Sequence, residues 1–223
     1  MLLAIDTSTR YLGVALYDDS HVIGEITQLC SNHHTVELGP AVIKLLSRTE
    51  LGVEGLKALA VALGPGSFTG LRIGLAFCKG LALSLNVPIV GVPTLDVLAY
   101  GQPVTDVNLV AVLEAGRGRI AAAWYRAVAG SWTITSPLEN LTHENFLDRL
   151  KSPSTVCGEI PKELATLINE QFNNIQLTSP AFSLRRPAFL AELAWERWKM
   201  GKVDPPATLK PIYLHHGEPI PGG

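Results

Sequence analysis

Charge is scarce in this chain. Only 17% of its 223 residues are Asp, Glu, Lys or Arg, and the formal net charge is −2. A protein that grips nucleic acid unaided carries a basic excess, so any RNA role falls to a complex. Cysteine is scarcer still. Cys30, Cys78 and Cys157 stand far apart with no CxxC pair, which excludes a zinc cluster or a disulfide framework. A reducing, cytosolic compartment is the default expectation. No uninterrupted apolar run reaches the roughly 18 residues that point to a membrane span. The apolar stretch before Asp6 is too short for a signal peptide. What the chain does have is a 47% hydrophobic share, enough core for one large domain or two small lobes. With so little charge, some of that apolar surface is expected to be covered by a partner.

Three strands are expected at the start. LLAI (2–5), YLGVALYDD (11–19) and HVIGEITQ (21–28) are short apolar or alternating runs separated by polar turns, an antiparallel meander. Leu38, Val42, Leu45 and Leu46 then recur at helical spacing. KALAVAL (57–63) is a buried strand, 71–85 a helix, VPIVGV (87–92) a strand and 94–100 a short helix. A mixed sheet carrying helices follows from that order. GQPVTD (101–106) is the best lobe boundary, which gives lobes of 1–103 and 104–223. The second half opens with strands again (107–115, 119–128 and SWTITS), then helices near 144–151, 162–171 and 186–200 between the strands STVCG and NIQLT. It loosely echoes the first. The tail GEPIPGG reads as frayed.

ALGPGSFTGLRIGLAFCKGLALSL (62–85) is the most distinctive stretch. Its glycines suggest a phosphate loop, yet the spacing fails both standard motifs. Gly66 and Gly70 are one residue too close for a Walker loop, and no Lys-Ser/Thr follows. Gly64 and Gly66 begin a dinucleotide fingerprint that Thr69 breaks. A strand-to-helix turn still offers free N–H groups to an anion, but a tight turn with glycine dihedrals explains the loop more simply. Asp6, Thr7 and Ser8, at a strand end, could position Mg2+ and phosphate. An Asx or Ser/Thr turn is the plainer account.

The helix itself is more telling. At about 100° per residue, Leu71, Leu75, Cys78, Ala82 and Leu85 share one stripe, while Ile73, Phe77, Gly80 and Leu81 lie on other sides. Only Arg72 and Lys79 make a charged edge. Such a helix is buried on more than one side, by its own lobe or by a partner, and Gly70, Gly74 and Gly80 permit close approach. His33 and Glu37 form the only metal-like pair, short of the ligands that zinc or iron needs. Asn32 or Thr35 reads better as a helix cap. His215 and His216 carry less weight, and no G-x-S-x-G elbow supports a hydrolase.

AIDTST at the start, the His pair at 33–34, GPGSFTGLRIG (64–74), KGLAL (79–83) and VPIVGVPTLDVLA (87–99) resemble the TsaB (YeaZ) family. The likeness is collinear over about the first hundred residues and thins beyond Asn108 to a terminal PIYL. The resemblance implies a two-lobed actin-like/Hsp70-like (ASKHA, ribonuclease-H-like) α/β fold with mixed sheets flanked by helices. It implies a non-catalytic scaffold in the bacterial complex that places threonylcarbamoyl on the adenosine beside the anticodon of tRNAs reading codons that start with A. The catalytic paralogue TsaD and the ATPase TsaE are then the partners, with ATP/ADP and a metal in those subunits and none bound by this chain alone. A homodimer through the same surface is implied too, with tRNA met only within the complex. Gly70, Leu71, Arg72, Ile73, Gly74, Phe77, Leu81 and His34 are the expected contact residues. Asp6, Thr7, Ser8, Gly64 and Gly66 are the expected remnant of a phosphate site, and no metal ligands are expected.

His34 matches the first His of the paralogue's His-x-x-x-His metal pair, but position 38 is Leu. Arg10 and Tyr11 follow the DTST turn where the paralogue has acidic residues. The chain also departs from the TsaB pattern it resembles at Val36, at Glu114 in the second-lobe hairpin, at Arg119, where Glu is usual, and at His215. Two rival readings remain, a stand-alone ASKHA small-molecule kinase and a metallopeptidase-like protein.

Overall fold

A computed structural model describes residues 1–30 and 33–214. The tail expected to fray, with His215 and His216, and Asn32 as a cap lie outside the described residues.

The first sheet is built around β1 (Leu2–Asp6), whose five residues are all buried. It pairs antiparallel with β2 (Tyr11–Tyr17), which pairs antiparallel with β3 (Val22–Leu29). On its other side β1 runs parallel to β4 (Ala58–Ala62), and β4 parallel to β5 (Ile89–Val92), giving the order β3-β2-β1-β4-β5. Central strands covered on both faces read as continuous apolar runs rather than as alternation, which is why LLAI and ALAVA look alike in sequence.

The two faces still differ, because neighbouring residues in a strand point opposite ways. Leu3, Ile5, Val14, Leu59 and Val61 meet Leu38, Val42 and Leu45 of α1 (His34–Leu46) and Leu75 and Cys78 of α2 (Phe68–Leu85). Leu2, Ala4, Ala15, Ala58, Ala60 and Ala62 form a shallower face. It takes Leu190, Ala191, Ala194 and Trp195 of α7 (Pro187–Lys199), together with Val97 of α3 (Thr94–Tyr100). Alanines there let a helix sit close to the sheet.

The chain separates into two compact units, 1–97 with 185–212, and 98–184 with Tyr213 and Leu214. This differs from the expected lobes of 1–103 and 104–223. The turn-rich GQPVTD is a local signal, whereas the apolar side of α7 is satisfied by an alanine face contributed by residues 2–62. Nothing near position 190 in the sequence announces that.

The second unit repeats the plan. β6 (Asn108–Gly116) and β7 (Arg119–Val128) form a hairpin, and β8 (Ser131–Ile134) continues it antiparallel. On the other side β10 (Ser154–Gly158) runs parallel to β6, and β11 (Ile175–Leu177) parallel to β10. The order β8-β7-β6-β10-β11 matches that of the first sheet, so the echo read in the sequence is a repeat of topology. β9 (Glu139–Thr142) also pairs with β7. Of α4 (His143–Arg149), α5 (Lys162–Gln171) and α6 (Pro180–Ser183), the first two bury Phe146, Leu164 and Ile168 against Val110, Val112, Ile120 and Val156. Two mixed sheets flanked by helices make this an α/β protein with the ASKHA-like arrangement that the resemblance implied.

Among the described residues, α2 is the one helix long and apolar enough by composition to cross a membrane. Its Leu71, Leu75, Cys78 and Ala82 are buried in the first unit.

Candidate functional site

The turn that follows β1 is polar and buried. Asp6 is 4% exposed, Thr7 2%, Ser8 0% and Thr9 7%. Polar groups so placed must be hydrogen-bonded, and each of these is. Asp6 Oδ1 accepts from Ser8 N at 2.8 Å and from Ser8 Oγ. Asp6 Oδ2 accepts from Arg185 Nε at 3.0 Å. Arg185 Nη2 donates to Thr9 Oγ1 at 2.6 Å.

The same turn grips the starts of both helices. Thr7 Oγ1 donates to Gly70 O at 2.8 Å, and Ser67 N donates to Ser8 O at 2.6 Å. His34, the first residue of α1, reaches Thr9 O with its Nε2 at 2.8 Å. A carbonyl only accepts, so Nε2 carries the proton. Nδ1 is left buried without a hydrogen-bond partner. Ser67 caps α2, its Oγ accepting from Gly70 N at 3.2 Å, and the helix therefore starts at Phe68 rather than at Leu71 as the sequence suggested. The backbone of His33 begins α1 with no side-chain cap, so Thr35 does not cap it. Glu37 accepts from Gln28 Nε2 at 2.6 Å, away from any pairing with His33.

The glycine loop is shaped by these contacts. A Cβ at Gly66 would strike the carbonyl of Ser8, and one at Gly70 the carbonyl of Thr7. At Gly74 it would strike the Thr7 hydroxyl. Gly64 adopts φ +111, and its N–H donates to Thr94 Oγ1 at 3.0 Å. The space beside it is taken by the carbonyl of Ile212, whose N–H donates to Leu63 O at 2.7 Å.

The turn expected as a remnant phosphate site, Asp6, Thr7 and Ser8, lies against Gly66 and Gly70. Its groups are joined to one another rather than turned toward a ligand. Both Asp6 oxygens are engaged, and the loop backbone sits on Ser8. The residues present do not fit a metal-bound nucleotide. Nor, among the described residues, is any group of three His, Cys, Asp or Glu placed to hold a metal, the requirement of the peptidase reading.

The expected contact residues divide. Leu71 is 1% and His34 6% exposed, and Gly70 and Gly74 are buried. These four serve the interior, because the glycines admit the Asp6 turn rather than a neighbouring helix. Ile73, Phe77 and Leu81 pack on the core with one edge and are half-buried. Arg72 is exposed, its guanidinium 3.6 Å from the centre of the Phe68 ring. The outward side of α2 carries Thr69, Arg72, Ala76, Gly80 and Leu83, the last 76% exposed. On α1, Val36 and Ile43 are each 68% exposed, with exposed Pro40 between them. Spacings of four and three place all three on one side of α1.

Arg185 escaped the sequence reading, since 179 residues separate it from Asp6. The one local sign was a pair of arginines before Pro187 in a chain poor in charge. Arg119, the family departure, donates to Asn140 Oδ1 at 3.1 Å and to Asn140 O at 2.6 Å. It ties β7 to β9.

Residues 21–177 match the family model described as "TsaD: tRNA N6-adenosine threonylcarbamoyltransferase". The tRNA threonylcarbamoyladenosine biosynthesis protein TsaB of Bacillus subtilis is 36% identical over 67% of this chain and 66% of its own. The chain belongs to the TsaB (YeaZ) family. Its match spans just under two thirds of that Bacillus relative. The TsaB of Haemophilus influenzae is 26% identical over 96% of this chain and 93% of its own. Among solved structures, YeaZ from Pseudomonas aeruginosa superposes with a TM-score of 0.79 at 25% identity, covering 96% of this chain and 99% of that one.

Proposed function

We propose that this chain is a non-catalytic scaffold subunit in tRNA threonylcarbamoyladenosine biosynthesis, pairing through α1 and α2 with the catalytic transferase TsaD. The names of its relatives support the pathway. The observation that carries the scaffold role is the division of α2. One side is core, and the other offers Ala76, Gly80, Leu83 and the edges of Ile73 and Phe77, with no acidic residue on the helix. An exposed apolar helix side of this kind suits packing by another helix, and Val36, Pro40 and Ile43 extend it on α1. The engaged Asp6 turn favours a subunit that leaves ATP/ADP and metal to TsaD and TsaE. tRNA is met in the assembled complex, in the cytoplasm, and a second copy of this chain competes for the same surface when TsaD is absent.

Size-exclusion chromatography with the cognate TsaD tests this. Ile73→Asp is expected to abolish coelution. Ala76→Glu, at an exposed position, does the same without touching the core. Unchanged coelution of both variants would sink the assignment of the surface.

A further inference from the structure

The Asp6 carboxylate is a full negative charge in a buried turn. Burying an unpaired charge is prohibitively costly, so a partner is required. That partner is Arg185, whose side chain is 2% exposed and whose Nε lies 3.0 Å from Asp6 Oδ2. Arg185 comes from the segment before α7, and the neighbouring Arg186 is held by Glu25, with Nε donating to Oε1 at 2.8 Å. Pro187 packs on Gly13 of β2. The guanidinium is therefore delivered by a fixed stretch of chain. A guanidinium presents its donors in a planar fork and keeps its charge at any physiological pH. Here the fork spans Asp6 and Thr9, the two ends of the turn.

We propose that Arg185 is a built-in cation that occupies the ligand position of the Asp6 turn, closing it to divalent metal and to metal-bound phosphate. The turn keeps the carboxylate and hydroxyls of an ion-binding loop, and the chain supplies the positive charge itself. With the charge met internally, Thr7, Ser8 and Thr9 are free to fasten α2 and α1, as their bonds to Gly70, Ser67 and His34 do. The inference concerns the turn and not the outward side of α2, so it stands or falls separately from the pairing with TsaD.

Thermal unfolding with and without MnCl2, alongside electron paramagnetic resonance of free Mn2+, tests it without a partner. The wild-type chain is expected to show no Mn2+-dependent shift and no loss of free-ion signal. Arg185→Ala removes the cation, melts well below wild type and recovers when Mn2+ is added. Arg185→Ala combined with Asp6→Asn is indifferent to Mn2+. If Arg185→Ala does not fold without metal, folding restored by Mn2+ supports the proposal. Folding restored by neither Mn2+ nor the second substitution overturns it. Mn2+ binding by wild type that Asp6→Asn abolishes also overturns it, as does an Arg185→Ala chain that melts like wild type or ignores Mn2+.

Discussion

The turn between β1 and β2 and the turn between β6 and β7 hold the same place in two sheets of the same strand order. Their fates are opposite. Asp6 to Thr9 are buried, and their side chains fasten Arg185 and the start of α2. In the second unit Glu114, Gly116, Arg117 and Gly118 are exposed, and the hairpin closes through positive φ at Gly116, Arg117 and Gly118. The neighbouring strand-to-helix loops differ in parallel. Ser67 reaches the first turn at Ser8, whereas Glu159 donates to Val112 within β6. α2 has 18 residues and α5 has 10. A turn becomes a structural hub where a long helix starts against it, and stays a simple reversal where none does.

The largest expected break in this comparison comes from the arginines. Arg185→Ala leaves Asp6 unpaired inside the protein and is expected to cost about 3–5 kcal/mol. Arg119→Ala, which loses only partly buried bonds to Asn140, costs about 1 kcal/mol. Urea unfolding of the two variants measures the gap, and equal losses would erase the distinction. Glycine gives the next effect. Gly70→Ala forces a Cβ into the Thr7 carbonyl, an overpacking cost of about 3 kcal/mol. Gly118→Ala meets open space at φ +68, so only left-handed strain of about 1 kcal/mol applies. Reversed ranking in thermal melts would contradict the buried-hub picture.

The smallest effect is one of pH. The first unit buries Cys78 and the second Cys157, each without a charged neighbour, while Cys30, also buried, has Glu37 beside it. Burial lifts Cys157 to about 12 from an ordinary 9.0, and lifts Cys78 beyond that. A raised pKa means that the folded state holds the proton more tightly, so stability is complete below pH 9 and falls as the pH rises above it. Cys78→Ala and Cys157→Ala should each flatten the decline of the urea midpoint on the alkaline side of pH 9, Cys78→Ala more strongly. An unchanged slope in both would mean that the thiols are hydrated.

Local signals made much of this legible. The spacing of Leu71, Leu75, Cys78, Ala82 and Leu85 marks one stripe of α2, because helical periodicity is a short-range property, and the structure buries the first four of them, although Leu71 is among the expected contact residues. ENLT (139–142) gave no such signal, being a four-residue strand of half-buried residues that exists only because β7 offers an edge. The glycines of the GPGSFTG loop were visible, but not what they make room for. Gly70 and Gly74 suggested a seam for a partner, and the close neighbour is Thr7 of the same chain. Ser67 as the cap of α2 could have been read from its hydroxyl just before an apolar run. The pairing of Asp6 with Arg185, like the docking of α7, depends on tertiary closure across most of the chain and has no local trace.

The return of residues 185–212 to the first unit bears on the order of events during synthesis. Domains tend to fold as they leave the ribosome, and here the first unit waits for residues 185–212, which emerge only after residues 98–184. Residues 98–184 can collapse while the alanine face of the first sheet still waits for Leu190, Ala191, Ala194 and Trp195. Until then Asp6 also lacks its counter-charge, so the nascent turn is hydrated and open. One late segment of the chain, residues 185–195, therefore supplies both the cover for the alanine face of the first sheet and the counter-charge of its most polar loop.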